Sequence, residues 1–438
     1  MRNYDKGVII TPIKRSSKMK KSIWVIVLII SGLLPFSCSK EGNPVQYEKE
    51  IAPPPKEITP SPKKEWTFLL YDDADFANAY DPLADFSKLV SSNANINYLV
   101  LQDGNGTKAS YYQIGEQHVP IFLRNLDEVN MGESNTLENY LNFAKKYFPA
   151  ERYIVAFYDH GGGWMGTCWD ITTSQDENLT PAEMNDALTN AGGVDLVLFT
   201  APCNMGSIES AYQLRKSSKY YIGSEDVSCF SFWTGMLDKF DAFLKNNIKI
   251  TSNDLAREII TLHDQNKKAN GIAGPLITMS AINTSKLSNL VASFNNITKY
   301  YSENIEKFKS MPHKNIKKYL TNDPSDFCDF LSLLKSLKEN ETESIIKNQL
   351  TETINLFNDC IVAECHGDST LGSHGLNIYY PVKKYSSETY YSPYGIGLDF
   401  KSDCSWEKLI SNSLNKSQLS SPDERLKNIL KHNGYKLN

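Results

Sequence analysis

The sequence predicts an α/β chain in which a mostly parallel sheet is flanked by helices and followed by a helical C-terminal addition. Three observations carry this. Apolar runs of strand length recur through the first half: WTFLLYDD (66–73), INYLVLQDG (96–104), RYIVAFYDH (152–160) and VDLVLFTAPC (194–203). Segments with apolar residues at helical spacing alternate with them, the pattern of a sheet covered on both faces. The runs end in Asp, Gly, His or Cys, so chemistry-bearing side chains collect at the carboxyl ends of the strands, where such sheets bind ligands.

Taken in order, the first strand is followed by a helix over Pro82 to Leu89. After the second strand, YYQIG and VPIFLRNL read as a hairpin-like excursion, and TLENYLNFAKKYF (136–148) has helical period. TPAEMNDAL (180–188) opens with a threonine cap, a proline at the first helical position and a glutamate at the third, the signature of a capping box. SIESAYQLRKS reads as a helix and YYIGSED (220–226) as a further strand. DLAREIITLHDQ, SKLSNLVASFNNITKYYSENIEKF, FCDFLSLLKSL and a long stretch over 337–360 are helical by period. GLNIYYPV (375–382) is expected to return a strand to the sheet. The organisation expected is a core over 65–300, a helical subdomain over 301–415 and a polar tail over 416–438.

With 438 residues, 41% hydrophobic and 22% charged, the chain can bury a large core. A net charge of −5 and the lack of a basic stripe exclude a nucleic-acid binder. Near the start, MKK (19–21) precedes IWVIVLIISGLL, a run too short to span a bilayer comfortably and typical of a secretory signal. It ends in LPFSC, which resembles the cleavage box of bacterial lipoproteins; by that resemblance Cys38 is the lipidated first residue. The expected layout is a signal over 1–37, with translation starting at Met19, and a lipidated tether over 38–64 that is rich in proline and charge. The protein is expected outside the inner membrane, anchored by lipid to a bacterial envelope. Seven further cysteines (Cys168, Cys203, Cys229, Cys328, Cys360, Cys365 and Cys404) leave at least one thiol free if the others pair. No CxxC pair occurs, so no zinc site is expected. Asp72-Asp73-Ala74-Asp75 lacks the glycine and distal glutamate of an EF-hand loop and reads as a solvated strand end. No cofactor is expected, and a calcium requirement is not legible in these residues.

His160 and Cys203 both fall at strand ends. A cysteine nucleophile works as thiolate and needs a base or an electropositive setting. A histidine at the end of a neighbouring strand supplies one. DHGGGW (159–164) then has a chemical reason for its glycines, because the Gly161 N–H can approach a developing oxyanion, and the Cys203 N–H at the mouth of the next helix can join it. Trp164 is expected to pack beside the site and position the glycine loop.

The order strand–HGGGW, then strand–C-x-M-G-x-x-E, resembles the clostripain family of cysteine peptidases, whose fold is caspase-like. The matching stretches are DHGGGW, CWD…LTPAEMNDAL (168–188) and CNMGSIESAY (203–212), with weaker echoes in WTFLLYDDAD, YIGSED, ITMSAINTSKL (277–287) and GLNIYYP. The resemblance implies His160 as general base, Cys203 as nucleophile, and Gly161 and Cys203 N–H groups as the oxyanion hole. It also implies an aspartate two residues before the nucleophile and a basic residue on the acyl side of the cut. Here the block reads FTAPC, with Ala201 at that place, or Thr200 if one residue has been inserted, and neither is charged. Glu225 and Asp226 are the remaining candidate substrate-binding acids. Pro202 removes a donor and fixes φ near about −65°. No Lys or Arg occurs from Tyr153 to Leu214, so self-cleavage at a basic residue between histidine and cysteine is not expected.

The resulting expectation is a lipid-anchored, monomeric cysteine endopeptidase acting on peptide or protein substrates. The alternative is a catalytically degenerate surface lipoprotein of the same fold that binds a peptide or glycan. An esterase, suggested by HGGG alone, would need a G-x-S-x-G elbow that the chain lacks.

Overall fold

The computed structural model describes residues 58–74, 83, 95–104, 108–115, 120–170, 172, 177–228, 236–266, 277–319, 327–381, 384–385, 395, 397–413 and 419–420. All belong to one compact unit that begins at Pro54. The signal, Cys38, most of the tether, Cys229, and the helix over Pro82 to Leu89 apart from Leu83 lie outside the described residues.

In chain order the strands are β1 (Lys64–Ala74), β2 (Ile96–Gly104), β3 (Ser110–Ile114), β4 (Pro120–Asn125), β5 (Ala150–Tyr158), β6 (Thr167–Asp170), β7 (Glu177–Leu179), β8 (Val194–Phe199), β9 (Ser218–Gly223), β10 (Thr278–Asn283), β11 (Phe327–Asp329), β12 (Ile361–His366) and β13 (Asn377–Tyr379). Nine form one sheet in the order β12-β10-β9-β8-β5-β1-β2-β3-β4. The central strands β9, β8, β5, β1 and β2 are parallel. Antiparallel pairs close both edges, β3 with β4 on one side and β10 with β12 on the other. The mostly parallel α/β architecture expected from the sequence is therefore what the chain builds.

Side chains alternate along each central strand, as a period of two requires. On β1, Leu69 and Tyr71 enter one core while Trp66, Phe68 and Leu70 enter the other. On β8, Val197 and Phe199 face the first core, Leu196 and Leu198 the second. The first face is covered by α1 (Ser134–Tyr147), α2 (Pro181–Asn190) and α3 (Ile208–Gln213), and the second by α4 (Leu237–Asn246) and α5 (Ser252–Asn266). Burial on both faces is why these strands read as unbroken apolar runs. At the start of α2 the capping box forms as read: the Glu183 N–H donates to Thr180 Oγ1 at 3.3 Å and the Thr180 N–H to Glu183 Oε2 at 2.9 Å.

The later half adds α6 (Leu287–Glu303), α7 (Ile305–Ser310), α8 (Phe330–Asn340), α9 (Ser344–Cys360), α10 (Asp399–Asp403) and α11 (Trp406–Ser413) on the first face. Two expectations are corrected here. The stretch 337–360 is not one helix. It breaks at Glu341, whose buried carboxylate accepts the N–H groups of Thr342 and Glu343 at 2.7 and 2.8 Å together with Lys307 Nζ and the Tyr301 hydroxyl. Nor does GLNIYY join the main sheet. Its strand β13 pairs with β11, and the strand returned to the main sheet is β12, paired with β10. β12 is a half-covered edge strand that starts directly where α9 ends, so no turn residue announces it.

Candidate active site

His160 and Cys203 follow β5 and β8, which are adjacent and parallel, with Ile154 beside Leu196, Val155 beside Val197 and Ala156 beside Leu198. One step further the rings of Phe157 and Phe199 stack at 5.0 Å, 10° from parallel. The two loops thus leave the same end of the sheet side by side. Gly161 measures how close they come. A Cβ placed there would stand 2.2 Å from the carbonyl oxygen of Cys203, 2.7 Å from its nitrogen and 2.8 Å from Pro202 Cβ. No side chain fits in that space, so the residue after His160 lies directly against the backbone of Cys203. His160 and Cys203 are 4% and 5% exposed.

The glycine loop turns back on itself before reaching β6. Gly161 bridges Thr167, and the Gly162 N–H donates to Gly166 O at 2.9 Å. Because the ladder bonds flank the Gly161–Thr167 pair, the N–H of Gly161 is not part of the ladder. Thr167 Oγ1 donates to His160 O at 2.6 Å, and the Trp169 N–H to Asp159 Oδ2 at 2.7 Å, fixing both residues at the end of β5. Gly163 has φ +63° and its carbonyl accepts from Ser210 Oγ at 2.9 Å. Trp164 is buried and meets Tyr379 edge to face at 5.6 Å, so it packs the glycine loop against β13.

The setting of the sulfur differs from the one expected. Cys203 sits in a turn; α3 begins only at Ile208, capped by Ser207, and a helix dipole fades within its first turn. The positive pole near the thiol is instead a backbone group of another segment, the Ser228 N–H, which donates to Cys203 Sγ at 3.3 Å. A strap over Ser224–Ser228 runs along the Cys203 turn. The Gly206 N–H donates to Ser224 O at 2.6 Å, the Asn204 N–H to Asp226 O at 2.9 Å, and Ser228 Oγ to Thr200 O at 2.5 Å. Thr278 Oγ1 receives the N–H groups of Glu225 and Asp226 at 2.8 and 3.4 Å, and Asn377 Nδ2 donates to Glu225 O at 2.8 Å. Sequence reasoning missed these partners. Thr278 and Asn377 lay inside quoted motifs, but nothing in the chain marks Ser228.

Burial lowers the pKa of His160 to about 4, so the imidazole is neutral at neutral pH and able to accept a proton. Among the candidate substrate-binding residues, Ala201 is fully buried and packs in the second core rather than lining a pocket. Glu225 is also internal: its carboxyl accepts from the Tyr319 hydroxyl at 2.6 Å and is hydrogen-bonded to Asp329. Burial first, then the charge of Asp329, pushes its pKa well above the carboxylate range. Asp226 is 1% exposed. Asp72 and Asp73, read as a solvated strand end, are buried as well, and Asp72 Oδ2 accepts from Gln102 Nε2 at 2.8 Å. The neighbouring strands cover the end of β1, which the sequence alone did not reveal. Among the described residues no group of three or more His, Cys, Asp or Glu could hold a metal ion. The six described cysteines are all unbridged and buried.

A thiol and an imidazole at the ends of adjacent parallel strands, in a sheet with helices on both faces, define a protein of the caspase-like α/β class. A profile of the clostripain family matches residues 71–413, and the chain belongs to that family of cysteine peptidases. Clostripain of Hathewaya histolytica is 34% identical over a segment that makes up 20% of this chain and 19% of that protein, so the match spans about a fifth of the relative. Two solved structures share the fold. A secreted cysteine protease of Bacteroides thetaiotaomicron, in complex with an irreversible peptide inhibitor, has 19% identity and a TM-score of 0.58 over 78% of this chain and 99% of its own. An inactive protease zymogen of Parabacteroides distasonis has 18% identity and a TM-score of 0.58 over 80% and 99%.

The Gly161 contact yields a direct test. Gly161→Ala must push the two loops apart by about an ångström, a misplacement that costs on the order of 100-fold in turnover. Peptide hydrolysis by the variant, with circular dichroism to check folding, reads this; turnover within threefold of wild type would show the contact to be dispensable.

Proposed function

We propose that the protein is a lipid-anchored cysteine endopeptidase that works through a Cys203–His160 dyad. The observation that carries this reading is the contact of Gly161, the residue after His160, with the backbone of Cys203, which supports a pairing of the two side chains. His160 takes the proton of the Cys203 thiol as the sulfur attacks the scissile carbonyl carbon. The oxyanion that forms is met by the N–H groups of Gly161 and Cys203. The C–N bond then breaks, His160 gives its proton to the leaving amine, and a thioester remains. Water, deprotonated by His160, hydrolyses the thioester and restores the thiol. The Ser228 N–H on the sulfur favours the thiolate through each of these steps.

Selectivity for Arg or Lys on the acyl side is proposed to be weak. Ala201 contributes a core methyl, the Glu225 carboxyl is engaged internally, and Asp226 is 1% exposed, so none of the three candidate positions presents an open carboxylate to such a residue. The enzyme is proposed to act as a monomer on peptide or protein substrates, with no cofactor in the chemistry. It is placed outside the inner membrane by the signal-like run and LPFSC. No helix among the described residues is long and apolar enough to cross a membrane, and the anchor is assigned to a lipid on Cys38.

Digestion of a peptide library by wild type and by Cys203→Ala tests the nucleophile and the pocket together. The variant is expected to lose at least about a thousandfold in rate, and wild type to cut after neutral as well as basic residues. Undiminished cleavage by Cys203→Ala would falsify the dyad, and cutting confined to Arg and Lys would overturn the weak-selectivity reading.

The acid limb of kcat/KM follows from the depressed pKa of His160. Its base form persists as pH falls from 6.5 towards about 4 and is lost only there, so the limb is expected well below 6.5. A pH–rate profile with its acid limb at 6.5 or higher would contradict a buried His160 as base.

In a bacterial host, Cys38→Ser is expected to move the protein from the membrane fraction to the soluble one. An unchanged distribution would remove the lipid anchor from the proposal.

A further inference from the structure

Beyond the Cys–His pair, the most deeply buried titratable cluster lies on the other side of the strap. Glu225 and Asp329 are 1% and 0% exposed and their carboxyls are hydrogen-bonded to each other. Two carboxyls can share such a bond only if one of them holds a proton. The donors around them decide which. Asp329 receives the Ser332 N–H at 2.5 Å, the His374 N–H at 2.9 Å and His374 Nδ1 at 2.9 Å, the surroundings of an ionised carboxylate. Lys335 Nζ lies 3.2 Å from His374 Nε2. An ammonium can only donate, so Nε2 is the acceptor and the imidazole proton sits on Nδ1, facing Asp329. Glu225 accepts from the Tyr319 hydroxyl at 2.6 Å and from the Gly375 backbone, and burial together with the charge of Asp329 raises its pKa, which makes it the protonated partner.

The backbone of Glu225 is the middle of the strap that touches the nucleophile. Its neighbours hold Gly206, Asn204 and the Cys203 sulfur, and its own carbonyl is held by Asn377. We propose that Glu225 and Asp329, sharing one proton, are positioning residues that fix the Ser224–Ser228 strap so that the Ser228 N–H meets the sulfur of Cys203. This rests on the reading of Cys203 as the nucleophile.

The titratable and charged groups facing the pair are Tyr319, His374 with Lys335 behind it, and Cys328 with Lys318 and Glu209 near it. A carboxyl whose pKa is raised on folding stabilises fully below the ordinary carboxyl range and loses that contribution as pH rises through its folded value. Ionised Glu225 would face ionised Asp329 and repel it. The strap is therefore held while Glu225 keeps its proton and released as pH rises through its raised folded pKa.

The test uses the full chain with Glu225→Gln, Glu225→Ala and Cys203→Ala, measuring kcat and KM against pH and the rate of Cys203 alkylation. Glu225→Gln keeps a donor for Asp329 and an acceptor for Tyr319 but cannot ionise. It is expected to stay within about threefold of wild type at neutral pH and to move the fall-off at high pH upward. Glu225→Ala is expected to lower kcat about 30-fold with KM changed less than about threefold, and to change the alkylation rate in parallel. The proposal is overturned if Glu225→Gln is as impaired as Glu225→Ala, if both match wild type, or if the alkaline limb is absent or unmoved. Should Glu225→Ala fail to fold, the pH profile of Glu225→Gln decides alone. Cleavage that survives in Cys203→Ala sinks the nucleophile assignment itself, an outcome separate from any result at Glu225.

Discussion

The rest of the site depends on one steric constraint, the approach of the loop after β5 to the turn after β8 at Gly161. The register of those strands and the stacked rings of Phe157 and Phe199 bring the two chain segments to the same place. Only the missing side chain at 161 lets them touch. The glycines of HGGG serve different purposes. Gly161 is required for space, with its would-be Cβ inside the Cys203 backbone, whereas Gly163, at φ +63°, is required for conformation. A flexible loop would have served neither end, since a dyad of the kind proposed requires a fixed separation of sulfur and imidazole.

Burial sets the electrostatics of that fixed pair. Loss of water lowers the pKa of His160, so a lone imidazolium is disfavoured there, and in the proposed dyad its charge is compensated when a thiolate forms. The sulfur lacks a helix dipole and has one oriented N–H from Ser228. In a dry site an oriented N–H interacts with charge more strongly than it would in water. A protonated Glu225 fits this economy, because it braces the strap without adding a negative charge next to the thiolate.

The parts of this architecture written locally were legible in the sequence. The central strands could be read because burial on both faces makes their residues apolar without interruption, and the Thr180–Glu183 box because a cap involves residues three apart. His160, Gly161 and Cys203 were legible because permissive backbone and ionisable side chains coincide at strand ends. What the sequence hid is non-local. The break at Glu341 depends on Lys307 and Tyr301 from two other helices, and β12 is an edge strand whose exposed face carries no apolar signal. Ser228 meets the sulfur through its backbone N–H, which every residue but proline possesses, so that contact leaves no mark in the sequence. Glu225 was noticed as an acid, yet its environment is made by Tyr319 and Asp329, about a hundred positions away in the chain.

The later half of the chain is thereby part of the site rather than an appendage to it. Asn204, directly after Cys203, has φ +58°, a conformation in which a non-glycine residue costs roughly 1 kcal/mol or more and persists only where neighbours over-determine it. The neighbours are visible. The Asn204 N–H is tied to Asp226 O, its carbonyl accepts from Asn377 Nδ2 at 3.2 Å, and Tyr221 donates to Met205 O at 2.5 Å. Asn377 belongs to β13, which pairs with β11, and β11 ends in Asp329, the partner of Glu225. The strained turn that presents the thiol and the strap that contacts it are thus held by the same short ladder. A change in that ladder would reach the sulfur from two directions, through Asn204 and through Ser228. A chain that ended after β10 would leave Asn204 without Asn377 and Glu225 without Tyr319 and Asp329.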